Sequence, residues 1–154
     1  MPIASVSKTE IYYEVHGEGP PLMLLPGLGR GTSYFEAITP FLSKNFTTIV
    51  VDPRGIDRSS RVDKELTAEV WATDFAALLD HLGHANAHIL GSSHGGSMAM
   101  AMALHHLISS QFPRDYLGVV GFGEIARELK PESIPEVSWD FAYGTNMHHA
   151  FTLA

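Results

Sequence analysis

Apolar and polar positions alternate near the start of the chain. Ile11, Tyr13 and Val15 fall on one side, and Tyr12, Glu14 and His16 on the other. A period of two is that of a half-buried strand, so ASVSKTEIYYEVHGEGP reads as a β-hairpin closed by its glycines. PLMLL (21–25) is apolar without interruption, as expected of a strand covered on both faces, and stops at the glycine-rich turn PGLGRG. SYFEAITPFLSK (33–44) sets Phe35, Ile38 and Leu42 at helical spacing, with Pro40 placed to shorten or kink the helix. FTTIVVD (46–52) is a second buried strand, followed by the loop PRGIDRSS. TAEVWATDFAALLDHLG (67–83) is the clearest helix: Thr67 stands at the N-cap, Val70, Trp71, Phe75, Leu78 and Leu79 form one stripe, and Gly83 closes it. AHILG (87–91) is a third buried strand and GGSMAMAMALHHLI (95–108) a third helix. YLGVVGF (116–122) reads as a fourth buried strand, EIARELKP as a short helix, and VSWDFAYG as a strand or an irregular segment.

Strands alternating with helices after an initial hairpin predict an α/β fold: a mainly parallel sheet of about five or six strands with helices on both faces. Residues 1–154 form a single domain, with a core to residue 122 and a short tail from 123 to 154. In such sheets reactive groups gather at the carboxyl ends of the strands. Three loops qualify: PGLG, DPRGIDRS and GSSHGG.

Composition narrows the partners. With 154 residues, 45% hydrophobic and 18% charged, the chain is an ordinary globular domain with room for a core. A formal charge of −7 and scattered basic residues speak against nucleic acid and against an anionic membrane surface. Cysteine is absent, which excludes disulfides and cysteine-based zinc sites. No secretory signal or membrane-length apolar run is visible, so a cytoplasmic setting is expected.

The chemistry centres on Gly91-Ser92-Ser93-His94-Gly95, a G-x-S-x-G pattern set between a buried strand and a helix. A serine on such a sharp turn is forced outward, and glycines at −2 and +2 are needed where a Cβ would meet the neighbouring strand and helix. The helix that follows points its N-terminus at the serine and stabilises negative charge developing there. Acyl transfer also needs two N–H groups aimed at the oxyanion: one from His94, after the nucleophile, and one from Leu28 in Pro26-Gly27-Leu28-Gly29.

These segments, with "IYYEVHGEGPPLMLLPGLG", "TTIVVDPRGIDRSS", "LLDHLGHANAHILGSSHGG" and "FPRDYLGVVGFG", resemble the α/β-hydrolase family from about residue 8 to residue 122. The resemblance implies Ser93 as nucleophile, Leu28 and His94 as oxyanion donors, and a structural role for Asp52-Pro53-Arg54-Gly55. Position 57 is Asp where the family usually has Gly. Position 92 is Ser where His or Gln is commoner. The family order of catalytic groups is serine, acid, histidine, the last two on loops after later strands, with a lid after the fourth parallel strand.

Two arrangements of the tail follow. In a compact enzyme, Glu124 is the acid and His149 the base: His149-Ala150-Phe151 looks like the histidine loop of the dienelactone-hydrolase branch, and His148 is the adjacent alternative. In the other, residues 123–154 begin a lid, and the chain is a truncated form, catalytically crippled or complemented by another chain.

Gly27, Leu28, Tyr34, Phe35 and Phe122 stand near the site and suggest a modest hydrophobic acyl or ring substrate, an ester or lactone. Hydrolysis, acyl transfer and perhydrolysis would use the same serine. No metal or organic cofactor is implied. Met98, Met100 and Met102 read as core filler. His81, His84 and His88 span a helix end, a loop and a strand start, so their side chains should diverge, and His105 and His106 favour a helix dipole. The rival reading is a non-catalytic binding or assembly module, in which YLGVVGF would be an exposed sheet edge open to homodimerisation.

Overall fold

The computed structural model describes residues 2–62, 66–108, 116–121, 137–142 and 148–153. The alternating segment forms a hairpin of β1 (Ile3–Val6) and β2 (Thr9–His16), paired antiparallel. The uninterrupted apolar runs become β3 (Pro21–Leu25), β4 (Thr47–Val51), β5 (Ala87–Gly91) and β6 (Tyr116–Gly121). β3 pairs in parallel with both β4 and β5, and β5 with β6. In β3, β4 and β5 the continuous apolarity is explained by burial on two sides. Met23, Leu25, Ile49, Val51 and Ile89 enter one core cluster, while Leu22, Leu24 and Val50 enter another on the opposite face.

Two helices cover the first face. α2 (Ala68–His81) buries Trp71, Phe75, Leu78 and Leu79. The Thr67 side chain accepts from the Val70 N–H at its start. At its end the His84 N–H reaches Leu79 O and the Gly83 N–H reaches Asp80 O, with Gly83 at φ +77. That pair of bonds is the Schellman arrangement, in which a left-handed residue satisfies carbonyls the helix leaves open. α3 (His94–Ile108) follows β5, and Met98, Met100 and Met102 are buried in the same core. His81 meets Tyr13 and His88 meets Phe46, so these two histidines part to different surroundings.

The opposite face carries less helix than the spacing of Phe35, Ile38 and Leu42 predicts. A 3-10 turn at Thr32–Phe35 and a single helical turn, α1 (Thr39–Leu42), replace one helix over 33–44. Pro40 occupies the first turn of α1, where its missing N–H is harmless. In a continuous helix the same residue would break the bond to Glu36.

The sheet is larger than five or six strands. β7 (Val137–Ala142) and β8 (His148–Leu153) extend it to eight, in the order β1-β2-β4-β3-β5-β6-β8-β7. VSWDFAYG is therefore a strand through Ala142. The tail histidines, expected on a loop, lie instead in a strand antiparallel to β6. β6 is interior, with β5 on one side and β8 on the other, so the exposed edge expected at YLGVVGF is taken up within the chain. The helix expected at EIARELKP falls outside the described residues. Among the described residues no helix is long and apolar enough to cross a membrane.

Candidate active site

From β3 the chain steps to β4 on one side, then crosses back over β3 to reach β5 on the other. The loops leaving β3 and β5 consequently diverge at the carboxyl edge of the sheet, the crevice where open α/β sheets place their ligands. Leu25 and Gly91 are register partners there, and Gly121 is the partner of Gly91 on β6.

Ser93 stands at this crevice, exposed, with φ +53. A left-handed conformation costs a serine roughly 1–2 kcal/mol, and the glycines around it show what enforces it. A Cβ on Gly91 would stand 2.2 Å from the Gly95 carbonyl oxygen, and one on Gly95 would stand 2.0 Å from that of Leu25. Strand, turn and helix are thus pressed together with no room for a side chain at −2 or +2. The Gly95 N–H bonds Ser92 O at 2.9 Å and the Gly96 N–H bonds Ser93 O at 2.8 Å, closing the turn into α3.

The loop after β3 lies against this elbow. A Cβ on Gly27 would meet Ser93 Cβ at 3.8 Å and Ser92 O at 3.6 Å. The Arg30 N–H closes a turn onto Gly27 O with Gly29 at φ +68. Leu28, in the first central position, keeps its N–H out of the turn bond, and its side chain is 73% exposed. His94 is the first residue of α3, so its N–H has no carbonyl four residues back within the helix. The His94 ring packs edge-on against Trp71 at 5.1 Å, and Nε2 is buried with no partner among the described residues.

Tyr34 reaches the elbow through its hydroxyl, which lies 2.8 Å from Ser92 Oγ. Phe35 does not line the crevice. It is 3% exposed in the second core cluster and touches the site only by backing the Tyr34 ring, with centroids 5.0 Å apart. The period of the Phe35, Ile38 and Leu42 pattern already places Phe35 inward. Glu124 and Phe122 lie outside the described residues. His149 is placed by backbone register alone, opposite Gly121 at the carboxyl end of β6. Leu25, Gly91, Gly121 and His149 therefore form one row across β3, β5, β6 and β8.

Asp52, at the end of β4, braces the other side of the loop. Its buried carboxylate accepts from the Thr32 N–H at 2.7 Å and from Arg58 Nε at 2.8 Å. Arg58 also donates to Thr32 Oγ1 and stacks 3.5 Å from the Tyr12 ring centroid. The hydrogen bond to Asp52 holds the Arg58 guanidinium above its usual range. Arg58 carries no signal in a single sequence, because Thr32 and Tyr12, which fix it along with Asp52, are distant along the chain. A cavity of about 550 Å³ opens beside this brace, lined by Glu14, His16, Glu36 and Arg58 among others; Ser93 is not part of its wall. Among the described residues no group of His, Asp and Glu is arranged to hold a metal ion.

Comparison with known proteins agrees with this geometry. The family model described as "alpha/beta hydrolase fold" matches residues 20–115. A second model, "Rv0959-like protein, vWA domain", matches residues 87–154, less than half of the chain. The "Putative carbamate hydrolase RutD" of Azorhizobium caulinodans is 34% identical over 104 residues, covering 68% of this chain and 39% of that protein. The soluble epoxide hydrolase of a Corynebacterium species is 31% identical over 100 residues, covering 65% of this chain and 35% of that protein. Among solved structures, the enol-lactonase of Burkholderia xenovorans superposes with TM-score 0.66 at 33% identity, over 69% of this chain and 42% of that one. The chain spans about two fifths of the length of these relatives. The match over most of the chain, from the β3 strand through the nucleophile turn and α3, establishes that it belongs to the α/β-hydrolase family.

Proposed function

We propose that the chain is a serine hydrolase acting on an ester or lactone through an acyl-enzyme on Ser93. The observation that carries this reading is the strained, exposed Ser93 at φ +53, held at the sheet's switch point by glycines that admit no side chain. Backbone strain of this kind persists where the surroundings over-determine it, and clusters at reactive sites.

In the reaction, Ser93 Oγ attacks the substrate carbonyl carbon while its proton passes to the base. The Leu28 and His94 N–H groups hold the oxyanion of the tetrahedral intermediate. Its collapse breaks the C–O bond, and the leaving alkoxide takes the proton back from the base. Water then attacks the acyl-enzyme by the same route and frees Ser93. His149 is assigned as the base, supported by its backbone register on the Gly91–Gly121 row. Glu124, a few residues past the carboxyl end of β6, is assigned as the acid orienting it. Tyr34, whose hydroxyl meets Ser92, and the exposed Leu28 are assigned as the apolar rim for a small acyl group or ring. A cytoplasmic setting and a small-molecule substrate belong to the same reading.

Hydrolysis of a short-chain p-nitrophenyl ester, followed in wild type and Ser93→Ala, tests it. Loss of turnover in the variant is expected. Equal rates would remove the enzyme and leave a hydrolase-like binding module. His148→Ala and His149→Ala, assayed separately, test the base: His149→Ala should lower the rate by several orders of magnitude, and unchanged activity would overturn the assignment.

A further inference from the structure

Ser92 is held from both ends of the loop that carries the oxyanion donor. Its N–H bonds the carbonyl of Leu25, the last residue of β3, at 3.0 Å. Its hydroxyl lies 2.8 Å from the Tyr34 hydroxyl, at the far end of the same loop. Between these points lie Gly27, against Ser93, and Leu28, with its N–H outside the turn. Tyr34 is itself well founded. Its ring stands edge-on to the buried Phe35, at an interplanar angle of 89°. The next residue but one back along the chain, Thr32, is bonded to the buried Asp52.

We propose that Tyr34 and Ser92 are a positioning pair, a side-chain clasp that fixes the Leu28 oxyanion donor over Ser93. The proposal rests on the acyl-enzyme reading for its catalytic consequence, but not for the clasp itself. The physical reason is a short lever. Without the clasp, the far end of the loop loses its side-chain tie to the elbow. The Leu25–Ser92 backbone bond and the approach of Gly27 to Ser93 hold its near end, while the Thr32 N–H ties it to Asp52 at the end of β4 and not to the elbow. Oxyanion donors act only within hydrogen-bond reach of the charge that develops, and a displacement of about 1 Å can cost roughly a hundredfold in rate. Neither side chain needs to touch the reacting atoms. A Ser at position 92 also acquires a reason: it is short enough to lie under the loop and still offers a hydroxyl to Tyr34.

Tyr34→Phe keeps the ring and its packing on Phe35 and removes only the hydroxyl. Ser92→Ala removes the other half, and Ser92→Thr retains the hydroxyl. Two measurements apply to these variants and to the Tyr34→Phe/Ser92→Ala double variant. The first is hydrogen exchange of the amides of residues 27–31 by mass spectrometry. The second is p-nitrophenyl ester turnover with kcat and KM separated. Exchange in 27–31 should quicken in Tyr34→Phe and Ser92→Ala, with no further gain in the double variant. The kcat should fall roughly three- to tenfold in each, as expected for loss of one neutral hydrogen bond, with KM within twofold, and Ser92→Thr should recover most of it. Wild-type exchange in Tyr34→Phe, or additive losses in the double variant, would overturn the clasp. If Ser93→Ala proves as active as wild type, the acyl-enzyme reading falls, and the exchange measurement alone then decides the clasp.

Discussion

Gly95 lies so close to Leu25 that a Cβ on it would stand 2.0 Å from the Leu25 carbonyl oxygen. The obstacle is backbone of β3, which cannot turn aside as a side chain can. Gly95→Ala should therefore cost several kcal/mol, in the range reserved for serious overpacking. Gly83→Ala is the contrast: it has φ +77 but nothing within 4 Å, so only backbone strain of about 1 kcal/mol applies. Urea denaturation of the two variants measures the difference. Similar midpoints would mean that the approach of α3 to β3 relaxes freely.

Ser93 presents the opposite case, a side chain kept where glycine would be easier. At φ +53 it carries left-handed strain that Gly does not. Ser93→Gly should be more stable than Ser93→Ala by about 1 kcal/mol, although both lack the nucleophile. Thermal unfolding with calorimetric enthalpies tests this. Equal stability of the two variants would mean the turn is not strained, and would weaken the observation on which the proposed function rests.

The first six strands were legible in the sequence, because each depends on a local pattern: the hairpin of β1 and β2 with its alternation, and continuous apolarity in β3, β4, β5 and β6. The elbow was legible for the same reason, since Gly91, Ser93 and Gly95 stand two positions apart along the chain. What escaped are relationships across the fold. Nothing near Tyr34 marks Ser92 as its partner, and nothing near Arg58 marks Thr32. The tail shows the same limit, as His149-Ala150-Phe151 resembles a histidine loop by its residues but lies in β8, which pairs with β6. Phe35 was misplaced toward the crevice by its neighbour: adjacent residues on a helical turn face different directions, and only Tyr34 reaches the elbow.

Asp57, at a position where the family usually has Gly, takes the left-handed φ of +44. Asp tolerates this region better than most residues because its short polar side chain can bond locally. Its carboxylate and that of Asp52 both lie within 2.5 Å of the point a Cβ on Gly31 would occupy, which brings two carboxylates close together. Asp57→Gly should relieve both the conformation and that approach of like groups. A gain of about 0.5–1 kcal/mol is expected, seen as a Tm rise of a few degrees. A lower Tm would mean that Asp57 makes a compensating contact in the loop.

Arg54 and Asp74 make the final test, through pH. Arg54 donates to both carboxylate oxygens of the inaccessible Asp74, at 2.7 Å from Nε and 2.5 Å from Nη2. Burial pushes the Asp74 carboxyl above its ordinary value, and the Arg54 hydrogen bonds only partly pull it back. A carboxyl whose folded-state value is raised contributes stability that is fully present below the unfolded value and is lost as pH rises through the folded one. Arg54→Ala removes the downward pull and leaves a buried charge without its partner. At neutral pH this should cost about 3–5 kcal/mol. As pH falls, Asp74 in the variant takes up a proton before the wild-type residue does, so the difference between the two proteins should narrow on acidification. Urea midpoints measured from neutral to mildly acidic pH follow that difference. A constant difference would show that Asp74 stays ionised in the variant, and that burial does not govern its proton.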